Sequence, residues 1–495
     1  MRRPFLHAFL AMSLVVAVSA CGGRSSSDTS VSSTTGATTT SVPTKITWSP
    51  CPEDDALKCA RLRVPFDYSD PSRGTFSLKL VMHPADPSAR IGSMLVNPGG
   101  PGFGGSYLAE DAGSYFGEAV VKTFDIIGWD PRGTGKSTPA VDCVDSYDEY
   151  FAIDPTPENA AQREALVDAS RTFAKACEKK SGDILPWIST NNSARDMDAI
   201  RAALGEEKIT YFGFSYGSEL GATWATLFPG TVRAAVLDGA VDPDAEYMEV
   251  GLQQAIGFEK ELSKFLARCS ADSTCTFHNG GDAEGAFDAL MDELDARPLR
   301  VSSDRAAVNR AVALTGVIQA MYSSTMWDML AAALSSAQKG DGSGLLSMND
   351  DYYQRSADGT YGNELEAFIA ISCVDDPGPG TVEELDSFAP RFKRGAPRLW
   401  PGFTDEYPCV FWPAAADRQT KITGAGAGPI IVVGTTGDAA TPLSGTRRMA
   451  SALEDGRLIV VEANQHTGYG QNSCVVDAVD DYLITTKVTF SEKSC

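Results

Sequence analysis

A single segment, residues 208–221, places a serine between a strand and a helix and limits what the rest of the chain can form. A run of β-formers precedes Gly-Phe-Ser-Tyr-Gly at 213–217, and apolar residues at helical spacing follow it. The pattern G-x-S-x-G in this setting is typical of a nucleophile elbow, where small residues allow a tight turn that exposes the serine above a sheet. The pentapeptide alone would more often mark an ordinary turn, so the flanking strand and helix carry the prediction that Ser215 is a nucleophile.

Short apolar runs on both sides of this segment predict the strands of one sheet. Two early runs, 60–68 and 76–83, alternate apolar and polar residues, which is typical of half-buried antiparallel strands. A helix is predicted to begin with a cap at Ser193–Asp196. Strands alternating with helices predict a doubly wound α/β sheet with its functional site at the carboxyl ends of the strands. Continuous apolar runs predict its buried strands at 93–97, 124–130, 209–212, 233–238, 429–434 and 457–462.

Between residues 241 and 402 the strand pattern stops and helical spacing continues. Apolar residues recur at this spacing from Met248 onward, then around Phe287 and again around Met321. We interpret 241–402 as a mostly helical cap over the catalytic edge. Residues 46–240 and 403–495 then form the first and second parts of the core.

Composition excludes several classes of protein. A chain of 495 residues suits a large α/β domain with a sizeable insertion. Hydrophobic residues at 43% and charged residues at 22% are ordinary globular values, which exclude a mainly disordered or polytopic membrane protein. The net charge of −23 argues against a nucleic-acid partner, because neutralising phosphates requires an excess of Lys and Arg.

The N-terminus has the pattern of an export signal that ends in a cysteine. Two arginines, an apolar run and small residues precede Cys21. This pattern resembles the lipobox of bacterial lipoproteins, which implies that 1–20 is a lipoprotein signal peptide and that Cys21 carries the lipid. A plain signal peptide with an incidental cysteine is the alternative. Residues 21–45, rich in Ser and Thr, predict a tether, so we expect lipid anchoring on the outer face of the bacterial cytoplasmic membrane or in the cell envelope.

Ten of the eleven cysteines remain once Cys21 is set aside, and an even set in an exported chain predicts disulfides. Connectivity does not follow from sequence, and pairing in chain order is our hypothesis because it closes five local loops. None of these cysteines has C-x-x-C metal spacing, so no metal and no cofactor is predicted. The hypothetical pairs are Cys51–Cys59, Cys143–Cys177, Cys269–Cys275, Cys373–Cys409 and Cys474–Cys495.

A late aspartate and a late histidine stand in the order expected for partners of Ser215. Asp438 and His466 each come just after a predicted strand, and the order Ser, Asp, His is that of α/β-hydrolase triads. The chain has four histidines, and the other three lie in the signal segment, on an early strand and in the cap. His466 is therefore predicted as the base that a serine nucleophile requires. Asp405 and Asp477 are less well placed alternatives for the acid.

A glycine-rich loop at 98–105 follows the first buried strand and can donate backbone hydrogen bonds to an oxyanion. We predict Gly99 or Gly100 as one donor and the N–H of Tyr216 as the second. Further along, Gly135-Lys136-Ser137 invites comparison with a P-loop, but the first glycine of that motif is missing. We interpret this second segment as a strand-end loop that shapes the pocket.

Several short motifs occur together from about residue 46 to the C-terminus. They are Asn97-Pro-Gly-Gly-Pro-Gly102, Trp129-Asp-Pro-Arg-Gly-Thr-Gly135, Gly213-Phe-Ser-Tyr-Gly217, Leu237-Asp-Gly239 with Asp242-Pro243, Cys373 with Asp375, Gly437-Asp438 with Thr441-Pro442, and His466-Thr467. In this combination the chain resembles the α/β-hydrolase peptidases related to prolyl aminopeptidase, in particular their secreted actinobacterial tripeptidyl-aminopeptidase branch. Asn97-Pro98 stands where prolyl aminopeptidases have histidine, which fits the tripeptidyl branch.

The resemblance implies an α/β-hydrolase fold with a large, mostly helical cap insertion. It also implies a serine exopeptidase that releases short peptides, tripeptides in this branch, or single residues from free N-termini. Ser215 would be the nucleophile, His466 the general base and Asp438 its orienting acid. An exopeptidase must pair the substrate ammonium with an anion. Asp375 and Asp376 are the candidates, and solvated surface acids or helix caps are the equally open alternative.

Two other functions remain open at this point. A carboxylesterase or lipase could use the same triad on esters, because the triad itself does not distinguish leaving groups. A catalytically silent lipoprotein could bind peptides or cell-envelope ligands, although the presence of all three triad residues argues against it. The sequence does not indicate an oligomeric state.

Overall fold

Ten β-strands form one mixed sheet in the computed structural model, which describes residues 45–157, 159–403 and 407–495. The strands lie in the order β1-β2-β3-β5-β4-β6-β7-β8-β9-β10. The pairs β1–β2, β2–β3 and β3–β5 are antiparallel, and the other pairs are parallel. Their bounds are β1 Ser49–Pro50, β2 Lys58–Pro65, β3 Thr75–His83, β4 Gly92–Asn97, β5 Phe124–Trp129, β6 Ile209–Phe214, β7 Val232–Asp238, β8 Ile430–Thr435, β9 Gly456–Val461 and β10 Glu492–Ser494.

Apolar side chains cover both faces of the parallel part of the sheet. Along β4, Leu95 packs into one cluster while Met94 and Val96 pack into the other. The same alternation places Tyr211 and Phe212 of β6 on opposite faces. Because both faces are buried, β4 to β9 consist of continuous apolar runs, and the runs predicted each of these six strands to within about two residues. β10 pairs in parallel with β9 but is short and mostly exposed, so no apolar run indicated it.

Helices flank the sheet and fill the long connection between β7 and β8. α8 to α12 build an apolar cluster of their own around Phe265, Leu314 and Leu330, which is the helical pattern predicted for 241–402. The helices are α1 Ser106–Glu110, α2 Ala112–Tyr115, α3 Glu118–Thr123, α4 Asp148–Phe151, α5 Ala160–Ser181, α6 Thr190–Leu204, α7 Tyr216–Leu227, α8 Tyr247–Ala271, α9 Ala283–Ala296, α10 Arg310–Met321, α11 Trp327–Ala337, α12 Ser343–Tyr352, α13 Glu364–Asp375, α14 Val382–Asp386, α15 Ala389–Gly395, α16 Tyr407–Val410, α17 Leu443–Ala452 and α18 Ser473–Thr485.

One helix of the predicted cap belongs to the main core. Ala367, Ile371 and Cys373 of α13 pack into the cluster that covers one face of the sheet. The described residues all belong to one compact unit. The division into a core at 46–240 and 403–495 and a cap at 241–402 therefore remains an interpretation based on secondary structure.

The sequence placed the start of α6 wrongly, and its N-terminal predictions fall outside the described residues. α6 begins at Thr190, not near Ser193, because the Ser189 side chain caps it by accepting from the Asn192 N–H. The predicted signal peptide 1–20, Cys21 and all but the last residue of the tether lie outside the described residues. Among the helices that the structure describes, none combines the length and apolarity needed to cross a membrane.

Five disulfides join the cysteines in chain order, the same pairs that were hypothesised: Cys51–Cys59, Cys143–Cys177, Cys269–Cys275, Cys373–Cys409 and Cys474–Cys495. Cys373–Cys409 connects α13 to α16, and both cysteines pack into the cluster that covers one face of the sheet. Because disulfides persist in oxidising compartments, these bonds indicate an exported protein.

Candidate active site

Ser215 lies in the sharp turn between β6 and α7. Its backbone has φ of 54° and ψ of −127°, a left-handed conformation that a non-glycine residue rarely adopts. The turn requires glycine on both sides: a Cβ on Gly213 would lie 2.2 Å from the Gly217 oxygen, and one on Gly217 would lie 2.8 Å from the Asn97 oxygen. The strained serine therefore lies half-buried just past the carboxyl end of β6, where the pentapeptide predicts it.

The glycine-rich loop after β4 packs directly against this turn. A Cβ on Gly99 would lie 2.7 Å from the Phe214 oxygen and 2.8 Å from Ser215 Cβ. The N–H of Gly99 donates to Asn97 Oδ1 at 3.0 Å, so it is already engaged. Of the two glycines predicted as oxyanion donors, Gly100 is the one whose N–H is left for a substrate.

His466 follows β9 and contacts Asp438, which follows β8. Its Nδ1 lies 2.9 and 3.0 Å from the two carboxylate oxygens of Asp438. The carboxylate also accepts from the N–H and the hydroxyl of Thr441, at 2.8 and 3.0 Å, and its side chain is fully buried. These bonds orient the acid toward the imidazole. The alternative acid Asp477 is exposed on α18, and Asp405 lies outside the described residues.

The other ring nitrogen of His466 is free to accept a proton. Nε2 is buried and has no hydrogen-bond partner among the described residues. Burial alone would lower the pKa of His466, but the charge and hydrogen bond of Asp438, with a contribution from Asp238, raise it above its ordinary value. Ser215 and His466 both border the end of β7: the Ser215 N–H donates to the Asp238 oxygen at 2.8 Å, and a Cβ on Gly239 would lie 3.1 Å from His466 Cε1.

The cap contacts the histidine loop through its backbone. The N–H of His466 donates to the Tyr322 oxygen at 2.8 Å, and the N–H of Ser324 donates to the Asn464 oxygen at 3.1 Å. The Tyr322 ring meets the imidazole edge to face, with centroids 5.6 Å apart. The cap segment after α10 therefore packs against the imidazole and hydrogen-bonds the backbone of the histidine loop.

A cavity of about 350 Å³ opens beside Ser215 and extends under the cap. Its lining includes Gly100 and Tyr216 beside the serine and the apolar rings of Phe368 on α13 and Phe392 on α15. Acidic side chains line the same cavity at Glu219, Asp242, Asp244, Glu246, Asp375 and Asp376. The cavity is therefore an acidic space directly adjoining the serine.

Two of these acids are half-buried, and neither forms an ion pair with a cation of the described residues. Asp375 accepts from the N–H and the hydroxyl of Thr190, at 2.8 and 2.5 Å, and the same hydroxyl contacts the Tyr216 hydroxyl. Burial raises the pKa of Asp375 well above its ordinary value, and the neighbouring charges of Glu219 and Asp417 act in the same direction. Burial likewise raises the pKa of Glu219 to about 7.

The second predicted ammonium ligand has a different environment. Asp376 accepts from the N–H groups of Tyr247 and Gly378, both at 3.1 Å. It also lies 3.7 Å from an Arg418 guanidinium nitrogen. Its charge is thus already partnered, in contrast to that of Asp375.

Sequence reasoning missed three residues of this site, Thr190, Glu219 and Tyr322, and gave Asp238 no role although it stands in the motif Leu237-Asp-Gly239. Of the first three, only Glu219 carried a readable signal, because an acid four residues after the nucleophile lies in the first turn of α7. Thr190 and Tyr322 reach the site through long-range contacts that no local pattern indicates. Within the described residues, no group of three or more His, Cys, Asp or Glu side chains is arranged to hold a metal ion.

Comparison with known proteins agrees with this geometry. The model of the family described as "alpha/beta hydrolase fold" matches residues 92–279, and the model described as "TAP-like protein" matches 401–495. The chain is 35% identical over 465 residues to serine protease Hip1 of Mycobacterium tuberculosis, which covers 89% of this chain and 88% of that protein.

Two further relatives match over a similar length. Identity to the tripeptidyl aminopeptidase of Streptomyces lividans is 31% over 473 residues, covering 91% of this chain and 86% of that protein. Identity to carboxylesterase B of Mycobacterium tuberculosis is 35% over 441 residues, covering 86% and 84%. The resemblance read from the motifs is confirmed: the chain is a serine hydrolase and belongs to the actinobacterial peptidase family of the α/β-hydrolase fold.

Proposed function

We propose that this protein is a serine exopeptidase that acts on free N-termini through an acyl-enzyme. His466 takes the proton of Ser215, whose oxygen attacks the scissile carbonyl, while Asp438 holds the imidazole through Nδ1. The N–H groups of Gly100 and Tyr216 hold the oxyanion. The imidazolium then protonates the leaving amine, and water, activated by the same imidazole, releases the acyl group.

The observation that carries this proposal is the pair of carboxylates beside Ser215. Neither Glu219 nor Asp375 forms an ion pair with a cation of the described chain, and both line the cavity next to the serine. A buried carboxylate without a cation is costly, and a bound ammonium group supplies the missing charge. We therefore assign the substrate's N-terminal ammonium to these two groups, with Asp376 outside the pair because Arg418 already faces it.

Because the pKa values of Glu219 and Asp375 are raised, the affinity for a free N-terminus is expected to depend on pH. In the empty cavity the carboxylates retain a proton to higher pH than ordinary carboxylates do, because burial disfavours their charge. A substrate ammonium stabilises the ionised form, so the proton leaves when the substrate binds. Affinity for free N-termini is expected to fall as pH drops below about 7, where Glu219 takes up its proton.

The test uses two chromogenic peptides of the same sequence, one with a free N-terminus and one N-acetylated. The wild type is expected to cleave only the free peptide, and Ser215→Ala neither. Asp375→Asn is expected to raise KM for the free peptide about 10-fold or more, because it removes a charged partner worth about 1.5–3 kcal/mol. Asp376→Asn is the matched control, with a much smaller effect. Equal cleavage of both peptides by the wild type would overturn the ammonium site.

The length of the released fragment is a finer part of the proposal. We propose tripeptides, which is supported by the 31% identity to a protein named tripeptidyl aminopeptidase. Mass spectrometry of the products from an unblocked decapeptide tests this directly. Products that are successively shorter by three residues are the expected result. Products that differ by one residue would instead indicate an aminopeptidase that releases single residues.

A carboxylesterase is the second candidate, and one observation favours it. The chain is as similar to a protein named carboxylesterase B as it is to the serine protease. Short-chain nitrophenyl esters separate the two functions when kcat/KM is compared with that for the free peptide. A much higher value for the esters, unaffected by Asp375→Asn, would favour the esterase.

We also propose that Cys21 carries a lipid that anchors the mature protein to the membrane. Support comes from the lipobox-like residues before it and from the export that the disulfides indicate. Cys21→Ser is expected to move the protein from the membrane fraction to the medium or the periplasmic fraction. An unmodified Cys21 thiol in the intact mass of the purified protein would contradict lipidation.

A further inference from the structure

Asp238, the last residue of β7, contacts both halves of the proposed catalytic machinery. Its carbonyl oxygen accepts from the Ser215 N–H at 2.8 Å. Its carboxylate accepts from the N–H groups of Gly468 and Tyr469, each at 2.8 Å. One residue therefore joins the nucleophile turn to the segment that directly follows His466.

The backbone of the segment that follows His466 is strained. Thr467 has φ of 70°, a left-handed conformation that is unfavourable for a β-branched residue. Three successive N–H groups, from Thr467 to Tyr469, donate to two carboxylates: the first to Asp438 at 3.3 Å and the next two to Asp238. The strained turn is thus fixed by hydrogen bonds to two aspartates, Asp438 and Asp238.

Burial and the nearby charges of His466 and Asp438 determine the ionisation of Asp238. Its side chain is fully buried, and burial raises its pKa to about 7 against the two N–H donors. His466 favours the ionised form of Asp238, while Asp438 disfavours it. The other titratable groups nearby are the Tyr469 hydroxyl, paired with Asp480, and Tyr322, which packs against the imidazole from the cap. His466 is the one cationic group of the described chain that interacts with Asp238.

We propose that Asp238 is a positioning residue that holds the His466 loop in its reactive conformation and supplies a second negative charge that favours the imidazolium. Asp438 orients the ring through Nδ1, and Asp238 fixes the backbone that carries the ring. The proposal rests on His466 acting as the base for Ser215. Its chemistry needs no proton transfer to or from Asp238 during turnover.

The test measures phosphonylation of Ser215 by an aryl phosphonofluoridate as a function of pH. This reagent reports the reactivity of the serine and its base whatever the natural substrate is. Asp238→Asn is expected to lower the plateau rate about 10- to 100-fold, because the loop is no longer held in place. It is also expected to move the acid limb to lower pH by about half a unit or more, because a negative charge near His466 is lost.

Asp480→Asn is the matched control, because Asp480 accepts from the Tyr469 hydroxyl at 2.6 Å and has no direct interaction with His466. It loosens the same segment without changing the charge at the base, so its acid limb should stay with that of the wild type. Asp238→Glu retains the charge, so its phosphonylation rate should fall at the same low pH as that of the wild type, even if its plateau rate is lower. A shift of the acid limb in Asp238→Asn alone supports the proposal.

An acid limb of Asp238→Asn that coincides with the wild-type limb overturns the inference and leaves the triad intact. A wild type whose labelling is independent of pH, or Ser215→Ala labelled as fast as the wild type, overturns the proposed function itself. Should Asp238→Asn not fold, NMR of the wild type decides by following the side-chain carboxyl carbon of Asp238 and the imidazole of His466 together. An Asp238 carboxylate that is ionised whenever His466 carries its proton supports the proposal, and an Asp238 carboxyl that is already protonated when His466 takes up its proton overturns it.

Discussion

Replacing Asp196 by Asn should destabilise the whole core, because it breaks a fully buried ion pair. Two guanidinium nitrogens of Arg132 donate to the two carboxylate oxygens of Asp196, at 2.7 and 2.6 Å, and both side chains are completely inaccessible. The Tyr68 hydroxyl donates to the same carboxylate at 2.7 Å. The pair joins the loop after β5 to α6, whose first residue, Thr190, holds Asp375.

The expected magnitude follows from what each side chain retains. Asn keeps one acceptor oxygen but turns an NH2 group toward the guanidinium, which leaves the buried charge of Arg132 uncompensated. The guanidinium still donates to three carbonyl oxygens, those of Pro65, Phe66 and Trp187. Breaking one partner of a buried pair costs about 3–5 kcal/mol, and the remaining acceptors place this case near 3 kcal/mol.

Urea unfolding followed by tryptophan fluorescence, with the disulfides intact, measures the effect. With a urea m-value of about 3 kcal/mol/M or more, the midpoint of Asp196→Asn should fall by up to about 1 M. Asp168→Asn, which breaks an exposed ion pair with Arg171 on α5, is the control and should change stability by less than about 0.5 kcal/mol.

A double variant separates breaking the pair from replacing it. Arg132→Met with Asp196→Leu removes both charges and fills the space with apolar atoms, so it should recover most of the loss of the single variant. A single variant that loses less than about 1 kcal/mol would refute the reasoning, because the guanidinium would then be stable in the core on its carbonyl acceptors alone.

The contacts of Asp438, His466 and Gly217 each predict a measurable change. Asp438→Asn should lower kcat on the order of 10³- to 10⁴-fold with little change in KM, because the imidazole loses its orienting acid; near-normal turnover would contradict this role. Burial lowers the pKa of His466, but Asp438 and Asp238 outweigh it, so activity should be present above the raised pKa and fall as pH drops through it. A kcat/KM profile whose acid limb lies below about pH 6.5 would contradict that direction. Gly217→Ala would place a methyl group 2.8 Å from the Asn97 oxygen, so phosphonylation of the serine should be almost lost, and unchanged labelling would show that the turn can relax.

The parts of this protein that local patterns could predict lie at the ends of strands. Ser215 follows β6, Asp438 follows β8 and His466 follows β9, and each strand is a buried apolar run that can be recognised without its neighbours. The disulfides pair in chain order as hypothesised, although connectivity does not follow from sequence, and the largest sequence separation within a pair is 36. Local closure is the entropically easier choice for such loops.

What could not be predicted depends on contacts between distant parts of the chain. Asp375 is held by Thr190 across a sequence separation of 185, and Tyr322 meets His466 only because the cap folds back onto the sheet. The start of α6 was misplaced for a simpler reason, since Ser189 and Ser193 are equally good caps by residue type. The choice of Ser189 becomes clear only when Asp417, which accepts from its hydroxyl at 2.6 Å, is seen beside it.

The catalytic residues and the residues that we propose to select the substrate lie on different kinds of element. Residues that carry out acyl transfer stand at strand ends, while those we propose to select the substrate, Glu219 and Asp375, stand on helices. Relatives named as a serine protease and as a carboxylesterase are each 35% identical to this chain, so overall identity does not separate the two activities. The same triad serves either leaving group, whereas an unpaired buried carboxylate favours a cationic substrate. The residue types at positions 219 and 375 of a relative should therefore indicate its preference for free N-termini better than its triad or its identity does.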